Sequence, residues 1–319
     1  MESVRPSGDS AVPRRSCLAA GTLLRDCSGR SIVPSVTETS SAALAVQAVS
    51  KTNLSVRRYR KSVTGLTAVE LAALRSALTR MIALSDDRGF GYWAGIHGLP
   101  LPISCTHGSP LFLPWHRAYL YYFEQHLLDQ MPSGRPVSLP WWDWSAQTGI
   151  PAAYAAAKLP DGAENPLAGA PISGIPAAQF NDENVPRADR TFRQPGPVGP
   201  DQGPAGLPSA QQVAAVLALK DFDDFTVQLE DLHNQVHVWV GGTMSEIPLA
   251  AFDPVFWAHH TMIDRLWALW QLAHPGAGVG SVPLNHPLGP FPTLTVAHTL
   301  STTALGYDYA AATSSATPA

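Results

Sequence analysis

The segment "FDPVFWAHHTMIDRLWALWQLAH", residues 252–274, constrains the fold more than any other stretch of the chain. Asp253 stands where a helix N-cap belongs, and Pro254 takes the first helical position, where its missing N–H costs nothing. Beyond them, apolar side chains fall on most faces of the helix rather than in one stripe. Such a helix must be surrounded by other elements. The candidates to surround it are helical as well. "LTAVELAALRSALTRMIAL" (66–84) repeats apolar residues every three or four positions, and Thr67 with Glu70 forms a capping-box pattern. "WHRAYLYYFEQHLLDQM" (115–131) reads as a helix ending before "PSGRP". "DFDDFTVQLEDLHNQVHVWV" (221–240) reads as another, stopped by Gly241-Gly242. "SAQQVAAVLAL" (209–219) reads as a short one. Strand signals are few and no repeat of fixed period is present, so the expected fold is mainly α.

Between these helices the chain is punctuated by Gly and Pro. "GYWAGIHGLPLPISCTHGSPLFLP" (91–114) and residues 149–210 read as long irregular loops. Residues 1–52 are Ser, Thr, Ala and Pro with scattered charge, the composition of a disordered N-terminal arm. A core domain is expected over 53–310 and a disordered tail over 311–319. The net charge is −4 with no basic cluster, which argues against a nucleic-acid partner. No apolar run approaches the roughly 20 residues that span a bilayer, so no membrane partner is expected either. Three cysteines are too few for a disulfide scaffold. Arg14-Arg15 before "SCLAAGTLL" is a faint twin-arginine pattern broken by "RDCSGR". No signal peptide is read from it, which favours a cytoplasmic over a secreted location without fixing either.

Six of the eleven histidines fall into two groups of three. The first is His97, His107 and His116. The second is His233, His237 and one of His259 and His260. Positions four apart on a helix differ by about 40° and one turn, so His233 and His237 point the same way. The residue after His233 is Asn234, not the glutamate that a zinc protease needs there as general base. An all-imidazole site suits Zn, Cu, Fe or Ni. Adjacent His259 and His260 lie about 100° apart on a helix and cannot both face one ion. Helical periodicity does not choose between them.

These residues resemble the type-3 dicopper tyrosinases and catechol oxidases. "HGSPLFLPWHRAYLYYFE" (107–124) is similar to that family's first copper motif. "LHNQVHVWVGG" with "DPVFWAHHTMIDRLW" is similar to its second. "LPWWDW" resembles the signature between them, and "LGYDY" (305–309) the tyrosine motif that closes the core. The resemblance runs from about residue 55 to 310. It implies a four-helix bundle with long loops and little β, holding two copper ions per chain with three histidines each. Copper A would take His97, His107 and His116, with His97 in a loop of variable length. Copper B would take His233, His237 and His260. Cys105, two residues before His107, would form a thioether with it. Glu230 and Asn234 would hold a water that accepts a phenol proton. Ile247, before Pro248, would be the substrate gate. Asp264, one turn after His260, would pair with Arg60.

The activity implied is oxidation of a small phenolic substrate by O2. Diphenols would become o-quinones, and monophenols would first be hydroxylated ortho to the oxygen. Strict catechol or o-aminophenol oxidation is the runner-up, an oxygen carrier or a mononuclear zinc protein a remoter one. The chain ends about ten residues after "GYDY", so no C-terminal shielding domain is expected. The core would therefore be open, or else covered by a separate copper-delivery or shielding protein.

Overall fold

A computed structural model describes residues 57–99, 104–134, 136–174, 187–196, 206–291 and 293–311. The expected N-terminal arm and nearly all of the expected tail lie outside the described residues. So do 175–186 and 197–205 of the long loop region.

The helix starts at Thr67, Ser209, Asp221 and Asp253 are capped by those side chains. Helix α1 (Ala68–Ile82) begins with a complete capping box. Thr67 accepts from the Glu70 N–H, and Glu70 accepts from the Thr67 N–H. Its buried residues, Ala73, Leu74, Ala77, Leu78 and Met81, form one stripe. Helix α2 (Phe90–Gly98) and helix α3 (Phe112–Asp129) follow. The four-residue α4 (Ala152–Ala155) and α5 (Ala210–Leu217) come next, with Ser209 and Gln212 boxing the start of α5. Helix α6 (Phe222–Val240) is capped by Asp221, which accepts from the N–H groups of Asp223 and Asp224. It stops at Gly241, whose φ of 65° suits glycine. Helix α7 (Pro254–Ala273) is capped by Asp253 and buried along most of its length. The short α8 (Val296–Thr299) precedes the closing strand.

α3 packs on α1, α6 and α7, and α6 packs on α7, so these four form the expected bundle. Among the described residues the only paired strands are β1 (Arg58–Arg60) and β2 (Tyr307–Tyr309). They run parallel, with Arg60 opposite Tyr309, and tie the two ends of the core together. The "LPWWDW" loop is pinned to the bundle rather than draped over it. The Trp141 N–H donates to Lys61 and the Trp142 N–H to the Ala258 carbonyl of α7. Trp141, Trp142 and Trp144 are all fully buried.

Two sequence expectations are corrected. Residues 90–98 are a helix, not a loop. Phe90, Trp93, Ala94, His97 and Gly98 are its buried positions, a helical stripe hidden by glycine's poor helix propensity. The glycines serve close packing. A Cβ on Gly91 would sit 2.9 Å from the Ser173 carbonyl oxygen, and one on Gly98 would sit 2.4 Å from the Pro248 Cα. Burial of the aromatic stripe outweighs the propensity cost. α3 also starts three residues earlier than expected, at Phe112. Pro114 falls within its first turn, where backbone N–H groups have no helical acceptor to lose.

Candidate metal centre

His97 comes from α2, His107 from the loop before α3, and His116 from α3. α6 contributes His233 and His237 one turn apart, and α7 contributes His260. Four of the six rings are buried, while His107 and His237 remain partly exposed.

Hydrogen bonds set the tautomers. A carbonyl oxygen can only accept, so an Nδ1 that contacts one must carry the proton. His97 Nδ1 donates to the Ile247 carbonyl at 3.2 Å, His116 Nδ1 to Phe112 at 2.8 Å, and His237 Nδ1 to Met244 at 2.7 Å. His233 Nδ1 donates to Asn234 Oδ1 at 3.0 Å. The Nε2 of each ring then presents a lone pair. His97 and His116 bring theirs within 3.5 Å of each other. His260 Nε2 lies 3.2 Å from that of His233 and 3.3 Å from that of His237. Imidazoles around one tetrahedral ion at ordinary bond lengths have nitrogens about 3.3 Å apart. His97 and His116 both carry their proton on Nδ1, so their Nε2 lone pairs converge and repel unless a cation lies between them, and the donor set fits metal. Burial pushes all six imidazoles below the ordinary histidine range, His107 and His237 to about 4. The rings are therefore neutral, the form that ligates.

The two triads face each other. His116 stacks on His260 with centroids 4.7 Å apart, and His107 meets His233 at 5.6 Å. Of the adjacent pair, His260 is the ring that meets the first triad. His260 projects between the triads, whereas the aromatic neighbours of His259 beyond α6 and α7 begin with Trp144, at 6.3 Å. Phe256, one turn before His260, lies 4.0 Å from its ring and holds it in place.

The remaining candidate residues surround this arrangement. Both Glu230 oxygens accept from the Gly108 N–H, at 2.8 and 3.0 Å, and so hold the loop carrying His107. Burial raises the Glu230 carboxyl, and the Gly108 N–H partly offsets this. Cys105 Sγ lies 3.3 Å from His107 Nδ1, with its thiol pushed up to about 12 by burial. Ile247 is 43% exposed, and its backbone carbonyl is the group that orients His97.

The Asp264–Arg60 contact, at 3.0 Å, belongs to a larger buried cluster that sequence reasoning missed. Arg60 also forks onto Glu124, with both contacts at 3.1 Å. Arg117 joins Asp264 from α3, and Tyr307 and Tyr309 of β2 donate to the same carboxylate. For Glu124 and Arg117 the only sequence signal was charge at otherwise apolar helix positions.

A helical bundle that brings together two opposed sets of three neutral imidazoles has a donor set compatible with a dinuclear all-histidine metal site. Residues 87–273 match the common central domain of tyrosinase, and the chain belongs to the tyrosinase family of type-3 copper proteins, whose members bind paired copper with O2. It is 37% identical over 220 residues to a tyrosinase of Streptomyces antibioticus, covering 62% of this chain and 78% of that one. It is 33% identical over 237 residues to the A-type hemocyanin, units Ode to Odg, of Enteroctopus dofleini, covering 69% of this chain. The chain spans only 18% of that hemocyanin's length, and 58% of that of the Helix pomatia hemocyanin β-C chain unit G. A functional unit from octopus hemocyanin superposes with a TM-score of 0.63 at 29% identity, over 79% of this chain and 68% of that one. Recombinant mushroom tyrosinase superposes at 0.68 and 22% identity, over 80% and 62%, a likeness of fold.

Proposed function

We propose that this chain is a copper-dependent phenol oxidase that converts o-diphenols to o-quinones and ortho-hydroxylates monophenols. The observation that carries this reading is the pair of opposed imidazole triads, each with one ring, His107 or His237, reaching solvent. His97, His107 and His116 would hold one copper, and His233, His237 and His260 the other. Copper in these positions supplies two-electron chemistry with O2. The protein holds the rings in fixed tautomers, admits a planar substrate and takes up its proton.

A free phenol ionises near pH 10, so a base beside the site favours its binding as phenolate. Glu230 has the raised proton affinity such a base needs, and its carboxylate oxygens keep lone pairs beyond those used by Gly108. Asn234 orients His233 next to it. Glu230→Gln and Asn234→Ala are each expected to lower monophenol turnover more than diphenol turnover, by about tenfold or more for the carboxylate. Equal losses on both substrates, measured side by side as initial rates, would reduce both residues to structural supports.

Ile247 stands at the rim as the gate. Ile247→Phe is expected to raise KM for both phenol classes while leaving copper content unchanged. Unaltered Michaelis constants would remove the gate role. The proximity of Cys105 to His107 supports a thioether formed by loss of two hydrogens to O2 at the copper-loaded site. Intact-protein mass spectrometry of aerobically loaded chain is expected to show that deficit, and Cys105→Ser is expected to lack it.

The deciding assay for the whole reading is O2 uptake by copper-loaded protein given a monophenol, an o-diphenol and an o-aminophenol in parallel. The hemocyanin likeness supports a second reading as an oxygen carrier. Reversible O2 binding with no phenol-dependent uptake would select it.

A further inference from the structure

His259 is fully buried, and neither of its ring nitrogens makes a hydrogen bond. The His233 carbonyl is close enough to favour the protonated ring slightly, without the alignment of a bond. Buried polar atoms are almost always satisfied, and an orphan pair on one ring calls for a partner. The position of the ring indicates which. It stacks on His233 at 5.1 Å and meets His237 edge-on at 4.9 Å. The corresponding distances for His260 are 4.7 and 5.5 Å. By ring centroid His259 is thus as near to the two α6 histidines as His260 is, so the 100° between them on the helix does not keep both from the same pair of rings, although only His260 Nε2 reaches 3.2 and 3.3 Å of their nitrogens. One ligand atom from each of His233, His237, His259 and His260 lies within 4.8 Å of the other three.

We propose that these four imidazoles bind a single metal ion when only one is present. The idea rests on the reading of these rings as an all-imidazole metal centre. A d¹⁰ ion such as Zn²⁺ takes four nitrogen ligands tetrahedrally, and a site so completed is closed to a fifth group. The His260 contacts already have the tetrahedral spacing, and the His259 ligand atom, within 4.8 Å of the others, must close in to join them. The four-imidazole state differs from the dinuclear one in a single ligand. With His259 bound the ion is saturated and has no position for O2 or a phenol. With His259 withdrawn, the three remaining imidazoles leave a position facing the first triad. A chain carrying one ion on all four imidazoles would therefore be inert.

The test uses the metal-free full chain with one equivalent of Zn²⁺. X-ray absorption is expected to count four imidazoles. Chelator competition is expected to show that His259→Gln and His260→Gln each weaken Zn²⁺ binding about tenfold or more. Three imidazoles in the wild-type spectrum would overturn the proposal without reference to any variant. Unchanged affinity in His259→Gln, with loss confined to His260→Gln, would do the same. Failure of the phenol-oxidase reading is separable. It would appear as a chain that holds zinc on four imidazoles yet never oxidises a phenol when given excess copper.

Discussion

Replacing His260 with alanine is expected to leave about half of the wild-type copper after full loading, and no phenol oxidation. His260 Nε2 is the point at which the two α6 histidines converge, and its ring is also the one stacked on His116. Removing it takes one ligand from copper B and the contact surface from copper A. The His97, His107 and His116 set keeps its carbonyl-fixed tautomers and is expected to hold its ion. Metal analysis and O2 uptake on the same preparation check this. Full copper and full activity in His260→Ala, with loss in His259→Ala, would transfer the role to His259.

Asp264→Asn is expected to destabilise the fold by about 3–5 kcal/mol, because two buried arginines lose their shared counter-charge. For a domain of this size that corresponds to a fall in Tm of roughly 6–20 °C. Asparagine keeps an acceptor oxygen for Tyr307 and Tyr309, so the loss isolates the charge. Burial opposes the Asp264 charge, but Arg117 and Arg60 hold its carboxyl below the usual aspartate range. A depressed carboxylate stabilises the fold above the unfolded value, near pH 3.9, and that contribution disappears as pH falls through the folded one. The wild-type advantage over Asp264→Asn is therefore expected to be full at neutral pH and to vanish only in strong acid. A Tm difference under about 2 °C at pH 7 would show the pair to be worth no more than a surface ion pair.

Much of the site is legible in the amino-acid sequence, for local reasons. Thr67 and Asp253 announce their helices because a cap satisfies N–H groups within its own turn. His233 and His237 share a face because helical geometry places residues four apart together. The motif order carries the family resemblance, and with it the six histidines.

Other features depend on neighbours distant in sequence. The glycine-rich segment 90–98 reads as a loop because propensity counts only local cost. It is a helix because Phe90, Trp93 and His97 are buried and Gly98 lets the 247–248 backbone come close. Periodicity fixes the angle between His259 and His260 but not which angle faces α3, since that depends on how α7 is set in the bundle. The Asp264 cluster draws on β1, α3, α7 and β2, brought together only by the closed fold. The sequence by itself determined which side chains could serve and on which helix face they stand. Only the tertiary structure decided which faces meet, because that choice comes from packing among residues up to 251 positions apart.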